Sequence, residues 1–314
     1  MKEFEKASVA KLTTFQVGGI ADRISFPTSQ NELINLLKNS YHNQQPWYLI
    51  GGGSNLLVSS LDIPGNVICT VGLNTMKVED DLYIVADAGV RLPRLSAFAA
   101  KHNLTGMEFW EGIPGTVGGS VIMNAGAHGS STNKIITSIE VYDLESKDII
   151  TLLKDDIKFG YRISSINPKK QVILNAKFKL SKGSETEIRK LMKLNNLART
   201  SSQPIKDPSA GCTFSNPIEL NLSAGKLIEE LGGKNWSIGN AQVSCKHANF
   251  IINTGHAKSQ DVCKLIMKLQ KTINEKHHIN LKPEVKPLGL FTKEESSIWD
   301  SVGINESNSF IKII

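Results

Sequence analysis

Two stretches of this chain carry more glycine than turns between strands require. The first is Gly51-Gly52-Gly53-Ser54-Asn55, entered from Trp47–Ile50 and left by Leu56–Val58. The second runs from Gly112 to Gly129 and holds Gly115, Thr116, Gly118, Gly119, Asn124, Ala125 and Gly126. Glycine lets a ligand come close to the backbone. Successive N–H groups in such turns form concave nests that hold phosphate without a charged side chain. Neither stretch is a G-x-G-x-x-G dinucleotide fingerprint, and the first leads into a strand rather than a helix. Neither ends in the Gly-Lys-Ser/Thr of a P-loop. Alone, each reads equally well as a glycine-rich turn. Two of them in one domain, both flanked by buried strands, favour a nucleotide or dinucleotide cofactor held by its pyrophosphate.

The elements that must position these loops are strands in the first half and helices in the second. Short apolar runs predict strands at Arg23–Phe26, Trp47–Ile50, Leu56–Val58, Val67–Val71, Tyr83–Ala86 and Ile139–Leu144. Val172, Leu174, Ala176, Phe178 and Leu180 alternate and predict a half-buried strand. Glu32–Lys38 and Pro93–His102 predict helices among them, so the first half is α+β. Ser181–Ser184 reads as a linker. Beyond it, Ile188, Leu191, Met192 and Leu194 fall at helical spacing in Glu185–Arg199. Ser223 is placed to cap a helix holding Leu227, Ile228 and Leu231, ended by Gly232 and Gly233. Ser259 and Asp261 open a helix striped with Val262, Ile266, Leu269 and Ile273. These stripes read as core. The stretch after Leu290 shows too little pattern to assign.

Length and charge narrow the class. The chain has 314 residues, enough for two or three modest domains. With 40% hydrophobic and 21% charged residues it reads as soluble and globular. No apolar run is long enough to span a bilayer, and the opening residues lack a signal-type apolar core, so a cytosolic location is expected. Lys and Arg number 36 against 30 Asp and Glu, a modest excess that suits an anionic ligand and equally a solvated surface. The lysines are scattered, so no nucleic-acid partner is expected. Cys69, Cys212, Cys245 and Cys263 form no C-x-x-C pair and fit no zinc spacing, so no metal is expected.

Several motifs then resemble one family. Thr14-Phe15-Gln-Val-Gly18-Gly19, Tyr48 to Asn55, Gly112 to Gly119 and Asn124 to Ala127 are similar to the FAD domain of UDP-N-acetylenolpyruvoylglucosamine reductase. Phe159-Gly-Tyr-Arg162, Pro208 to Pro217, Ala241 to Phe250 and Leu281-Lys-Pro-Glu-Val285 resemble the rest of that reductase. The likeness runs from about Thr14 to Leu288, with the motifs in family order. The length, and the lack of a long insertion after Arg162, resemble the family's shorter type II form. The resemblance implies an α+β chain: a two-subdomain FAD-binding fold of the vanillyl-alcohol oxidase type, then a smaller α/β substrate-binding domain. On this sequence that means residues 1–182, split near 70, then 185–290, with 291–314 a tail of unknown role.

The resemblance also implies the chemistry. NADPH reduces a non-covalent FAD, and flavin N5 then delivers hydride to the enolpyruvyl group of a UDP-amino sugar, a step of peptidoglycan synthesis. The FAD contacts fall on Gly51, Gly52, Gly53, Ser54, Asn55, Gly115, Thr116, Gly118, Gly119, Asn124, Ala125 and Gly126. Arg162 would grip the substrate carboxylate through two parallel hydrogen bonds. Glu284 would hydrogen-bond the enolic oxygen. Cys212 stands where the family usually has serine; a thiol ionises near 8.5, so it is a competent proton donor. Without the family match, Arg162 reads as an ordinary surface or strand-end arginine and Glu284 as a solvated glutamate; the alternative for Cys212 is a buried structural thiol, with water or another residue donating the proton. Tyr161, Gln203, Lys206 and Asn216 are further substrate contacts by resemblance, while His247 and Asn249 lie in a motif that either shapes the sugar pocket or packs. Two departures stand out: no aromatic residue follows closely behind Arg162, and Lys282 replaces a frequent glutamate. A monomer is expected. The competing readings are another flavin oxidase of the same fold and a non-catalytic nucleotide-sugar binder.

Overall fold

A computed structural model describes residues 1–304 and the backbone of Phe310–Ile313. Its helices, in chain order, are α1 (Gln30–His42), α2 (Leu92–Lys101), α3 (Val117–Ile122), α4 (Glu185–Ser202), α5 (Ala224–Glu230), α6 (Ser259–His277) and α7 (Lys293–Ser296). Together with its strands they make the α+β class expected from the sequence. The contacts divide the chain into two compact units, each assembled from separate stretches. The first takes residues 1–3, 25–52 and 68–201; the second takes 4–24, 53–67 and 202 onward.

The first unit is built on a five-stranded antiparallel sheet. Its order is Ile149–Leu153, Ile136–Asp143, Gln171–Lys179, Tyr83–Asp87 and Met76–Glu79. The alternation at Val172–Leu180 is borne out: all five of its apolar residues are buried, and Ile173 between them is buried too. Ile84, Ala176 and Phe178 pack with Leu92, Leu95 and Ala99 of α2 and Val117 and Val121 of α3. Val172 and Leu174 instead join Leu33 and Leu37 of α1, which Ser29 caps by accepting from Glu32 N at 3.2 Å. Ser181–Ser184 is not a linker. Ser181 and Lys182 pair with Thr105 and Leu104, and Gly183 N donates to Asn103 O at 2.9 Å. The boundary placed at 182–185 therefore falls inside this unit, and α4 belongs to it. Ile188 and Met192 of α4 pack on Ala100, whereas Leu191 and Leu194 are 46% and 55% exposed and not core as their spacing suggested.

The second unit has two sheets around one core. Ser209–Cys212, Phe250–Asn253, Ala241–Val243 and Ser237–Ile238 lie in that order, antiparallel. Lys286–Phe291 pairs in parallel with Leu56–Val58 on one side and Phe310–Ile313 on the other. The predicted stripe of α6 is buried at Val262, Ile266, Leu269 and Ile273, against Leu227 and Ile228 of α5. Ser223 caps α5 as expected, accepting from Lys226 N at 3.4 Å. Ser259 does not cap α6. It exchanges hydrogen bonds with Ser60 instead, and the Asp261 carboxylate accepts from Lys258 N at 3.0 Å.

The stretch left unassigned after Leu290 enters this core. Phe291, Ile298 and Trp299 are buried in it, and Phe291 and Trp299 meet edge to face at 5.3 Å. Thr292 and Glu295 form a reciprocal capping box that turns the chain into α7. Residues 305–309 and 314 of that tail lie outside the described residues.

Candidate active site

In the first unit the Trp47–Ile50 strand buries Tyr48 and Ile50 and delivers Gly51 and Gly52 to the second glycine-rich stretch. A Cβ on Gly51 would sit 2.4 Å from Thr116 Oγ1, and one on Gly52 would sit 2.8 Å from Pro114 O. Gly52 thus meets the second loop's backbone and Gly51 meets its Thr116 side chain, at distances that leave no room for a Cβ. Thr116 Oγ1 is buried with no hydrogen-bond partner among the described residues. Gly51, Gly52 and Gly119 donate their N–H to no acceptor among the described residues. By contrast, Gly115 N is spent on Ile113 O at 2.9 Å and Gly118 N on Ala88 O at 2.8 Å. Gly115 and Gly118 therefore give close approach rather than donors. A cradle of small residues with an orphaned hydroxyl and open N–H groups fits a phosphate-bearing cofactor.

The same unit brings Asn124, Gly126, Tyr161 and Arg162 together. Asn124 is buried in a left-handed conformation, φ 40°. Its Nδ2 donates to Gly160 O at 2.9 Å, and its Oδ1 accepts from Asn133 N at 3.0 Å. Its amide is thereby committed to the protein's own loops. Arg162 sits in the turn of a small hairpin, Phe159–Gly160 with Ile163–Ser164, at φ 59°. Its Nη1 donates to Gly126 O at 3.0 Å, and its guanidinium lies 5.3 Å over the Tyr161 ring. Ser164 Oγ adds a bond to Ile122 O at 3.1 Å. Three bonds thus pin this hairpin to the end of α3 and the segment after it. A non-glycine residue held at positive φ is the kind of strain that functional turns retain.

In the second unit Gly53 is held at φ 61°, where a Cβ would meet Leu12 O at 2.2 Å. Asn55 reaches the Pro283–Lys286 segment twice: its Nδ2 donates to Glu284 O at 3.1 Å, and its carbonyl accepts from Lys286 N at 2.9 Å. Cys212 ends a strand opposite Phe250, after a register shift with Gly211 at φ 79°. A Cβ on Gly211 would stand 4.0 Å from Ser54 O. The next residue, Thr213, donates its N–H to Asn249 O at 2.7 Å and accepts from Glu284 N at 2.8 Å. Cys212 and Glu284 therefore lie on two backbone segments bonded to each other through Thr213. Both are half-buried, between core and solvent.

The other predicted residues vary. Asn216 Oδ1 accepts from Ala224 N at 3.0 Å, tying Asn216 to the start of α5. Gln203 Oε1 is buried without a partner among the described residues, whereas Lys206 is exposed. Asn249 is buried and clamps Phe214 on both sides, Oδ1 accepting from its N–H at 3.0 Å and Nδ2 donating to its carbonyl at 2.8 Å. Asn249 N in turn donates to His247 Nδ1 at 3.2 Å. Lys286 was missed. Burial pulls its ammonium below the ordinary lysine value, against the opposing pull of Glu284. The signal was Glu284-x-Lys286, two charges alternating in an apolar strand.

Comparisons with known proteins decide what this arrangement belongs to. Residues 21–152 match an FAD binding domain, and residues 203–288 match the C-terminal domain of UDP-N-acetylenolpyruvoylglucosamine reductase. The reductase of that name from Caldanaerobacter subterraneus is 43% identical over 277 residues, 88% of this chain and 90% of the relative. The chain belongs to this reductase family. A second reductase, from Prochlorococcus marinus subsp. pastoris, is 40% identical over 288 residues, 91% of this chain and 97% of the relative. The crystal structure of the Thermus caldophilus reductase superposes with a TM-score of 0.75 at 31% identity, covering 91% of this chain and 98% of that one. The C-terminal match ends at residue 288, so the buried Phe291 and Trp299 lie beyond it.

Proposed function

We propose that this chain, an FAD-dependent oxidoreductase of the reductase family, reduces UDP-N-acetylglucosamine enolpyruvate to UDP-N-acetylmuramate, with NADPH as the reductant. Bound FAD supplies the redox chemistry, which no side chain can. Gly51, Gly52, Thr116 and Gly119 would hold it through open N–H groups and a hydroxyl, and Gly115, Gly118, Ala125 and Gly126 would let it lie close. Gly53, Ser54 and Asn55 continue the same loop. Asn124 would act by fixing the loops.

The protein's own part is to orient charge and move one proton. Arg162, aimed by its bond to Gly126 O, would pair with the substrate carboxylate. As charge builds on the carboxyl group, that pairing strengthens, which is how a fixed guanidinium lowers a barrier. Glu284 would hydrogen-bond the enolic oxygen. Cys212 would give its thiol proton to the carbon beside the carboxylate and recover one from water. Gln203, Lys206 and Asn216 suit the diphosphate and uridine, and Tyr161 the substrate near Arg162. The flavin role would fall to the domain matched over residues 21–152 and the substrate role to the one matched over 203–288. No described helix is long and apolar enough to cross a membrane. A cytosolic monomer that binds no nucleic acid completes the proposal.

The observation that supports the chemical reading is the bond from Glu284 N to Thr213 O, which ties the segment of the Glu284 carboxyl group to the residue after the Cys212 thiol. The test is optical. Purified protein should be yellow, bleach with NADPH without air, and regain its colour when the enolpyruvyl UDP-sugar is added. A protein reoxidised by oxygen but not by that sugar would be a different flavin oxidase.

A further inference from the structure

The backbone around Glu284 is held at four points. Glu284 N donates to Thr213 O at 2.8 Å, Glu284 O accepts from Asn55 Nδ2 at 3.1 Å, and Lys286 N donates to Asn55 O at 2.9 Å. The fourth comes from the tail. Trp299 Nε1 donates to Val285 O at 2.8 Å, and this bond is buried. Gln270 of α6 ties the same tail to the start of the segment, its Nε2 donating to Ile298 O at 3.2 Å and to Leu281 O at 3.0 Å. Trp299 is fully buried, set by its edge contact with Phe291 and by the turn into α7.

Val285 is buried in the core, at a bend between Glu284 and the strand that Lys286 begins. A shift of the Val285 peptide would swing both charged side chains together. A buried carbonyl that loses the donor it has either stays unsatisfied or rotates toward another partner. We propose that Trp299 is a positioning residue for the reaction: its indole N–H fixes the Val285 carbonyl and so sets where the Glu284 carboxyl group points. This rests on the role given to Glu284 above, and it assigns a function to residues beyond the matched C-terminal domain.

The test uses the full-length FAD-loaded protein. Trp299→Phe keeps a ring against Phe291 and removes the N–H. The oxidative step is followed by mixing NADPH-reduced enzyme with the enolpyruvyl UDP-sugar without air. That step should slow about ten- to a hundredfold, the range expected when a reacting group is displaced by a fraction of an ångström to an ångström. Flavin content and the sugar's dissociation constant for the oxidised enzyme should stay within about twofold. Glu284→Gln is measured alone and combined with Trp299→Phe. If Trp299 acts through Glu284, the double variant is no slower than Glu284→Gln. A wild-type rate in Trp299→Phe, or losses that multiply in the double variant, overturns the positioning role. A wild-type rate in Glu284→Gln alone overturns the reading of Glu284 itself, and the proposal with it. Should Trp299→Phe fail to fold, Gln270→Leu loosens the same tail and is judged by the same criteria.

Discussion

Cys212 is the proposed proton donor, at a position where the family resemblance leads to an expectation of serine. It sits half-buried at a strand end, so its proton can be replenished from water. Cys212→Ala should still consume NADPH to bleach the flavin, yet reduce the enolpyruvyl sugar roughly 10²–10⁴-fold more slowly, the usual worth of a positioned proton donor. Cys212→Ser should keep turnover. Anaerobic stopped-flow of the two half-reactions separates these cases, and full speed in the alanine variant would remove Cys212 from the mechanism. At Gly52 the expectation concerns binding. An added Cβ would press on Pro114 O at 2.8 Å, a backbone atom that cannot swing aside. Gly52→Ala should therefore purify with much less flavin, read from the ratio of flavin to protein absorbance.

The central element of the second unit is the Cys212–Ser215 stretch, held on one flank by Asn249 and on the other by Lys282–Glu284. Asn249→Ala leaves the Phe214 N–H and carbonyl without their partner and should cost about 2–4 kcal/mol, measured as a fall in the urea midpoint. His247 supports the clamp with an unprotonated Nδ1. Burial holds its imidazole below the ordinary 6.5, with Glu229 pulling it up and Lys234 pushing it down. Below 6.5 the unfolded chain takes up this proton before the folded one does. Stability should thus decline as pH drops from about 7 toward 5, and the His247 share of the loss is complete once pH passes its folded value. His247→Gln should flatten that slope in thermal melts recorded across the range. Elements such as Trp47–Ile50 and the α6 stripe were legible because local periodicity alone defines them. The Asn249 clamp was not, since it joins residues 35 apart in sequence by hydrogen bonds that leave no period. Leu191 and Leu194 misled for a related reason: spacing says which residues share a face, not whether anything covers it.

At the scale of the molecule, family and activity were legible from motif order, while the division of the chain was not. Composition shifts mark where texture changes, yet each compact unit here combines stretches far apart in sequence. The tail was unreadable because two large aromatic residues, Phe291 and Trp299, do work that periodic stripes do elsewhere. Truncation after Leu290 should accordingly behave as a core deletion. It removes Phe291, Ile298 and Trp299 from the core cluster, and the second unit should lose its cooperative urea transition.

The interleaving of the second unit bears on how the polypeptide is made. Thr14 exchanges hydrogen bonds with Ser209, and Asn253 Nδ2 grips the carbonyls of Phe15 and Gln16. During translation these early residues emerge 195 to 238 codons before their partners. Phe15 and Val17 share their core cluster with Trp299, so that cluster is complete only after residues nearly three hundred positions later have been made.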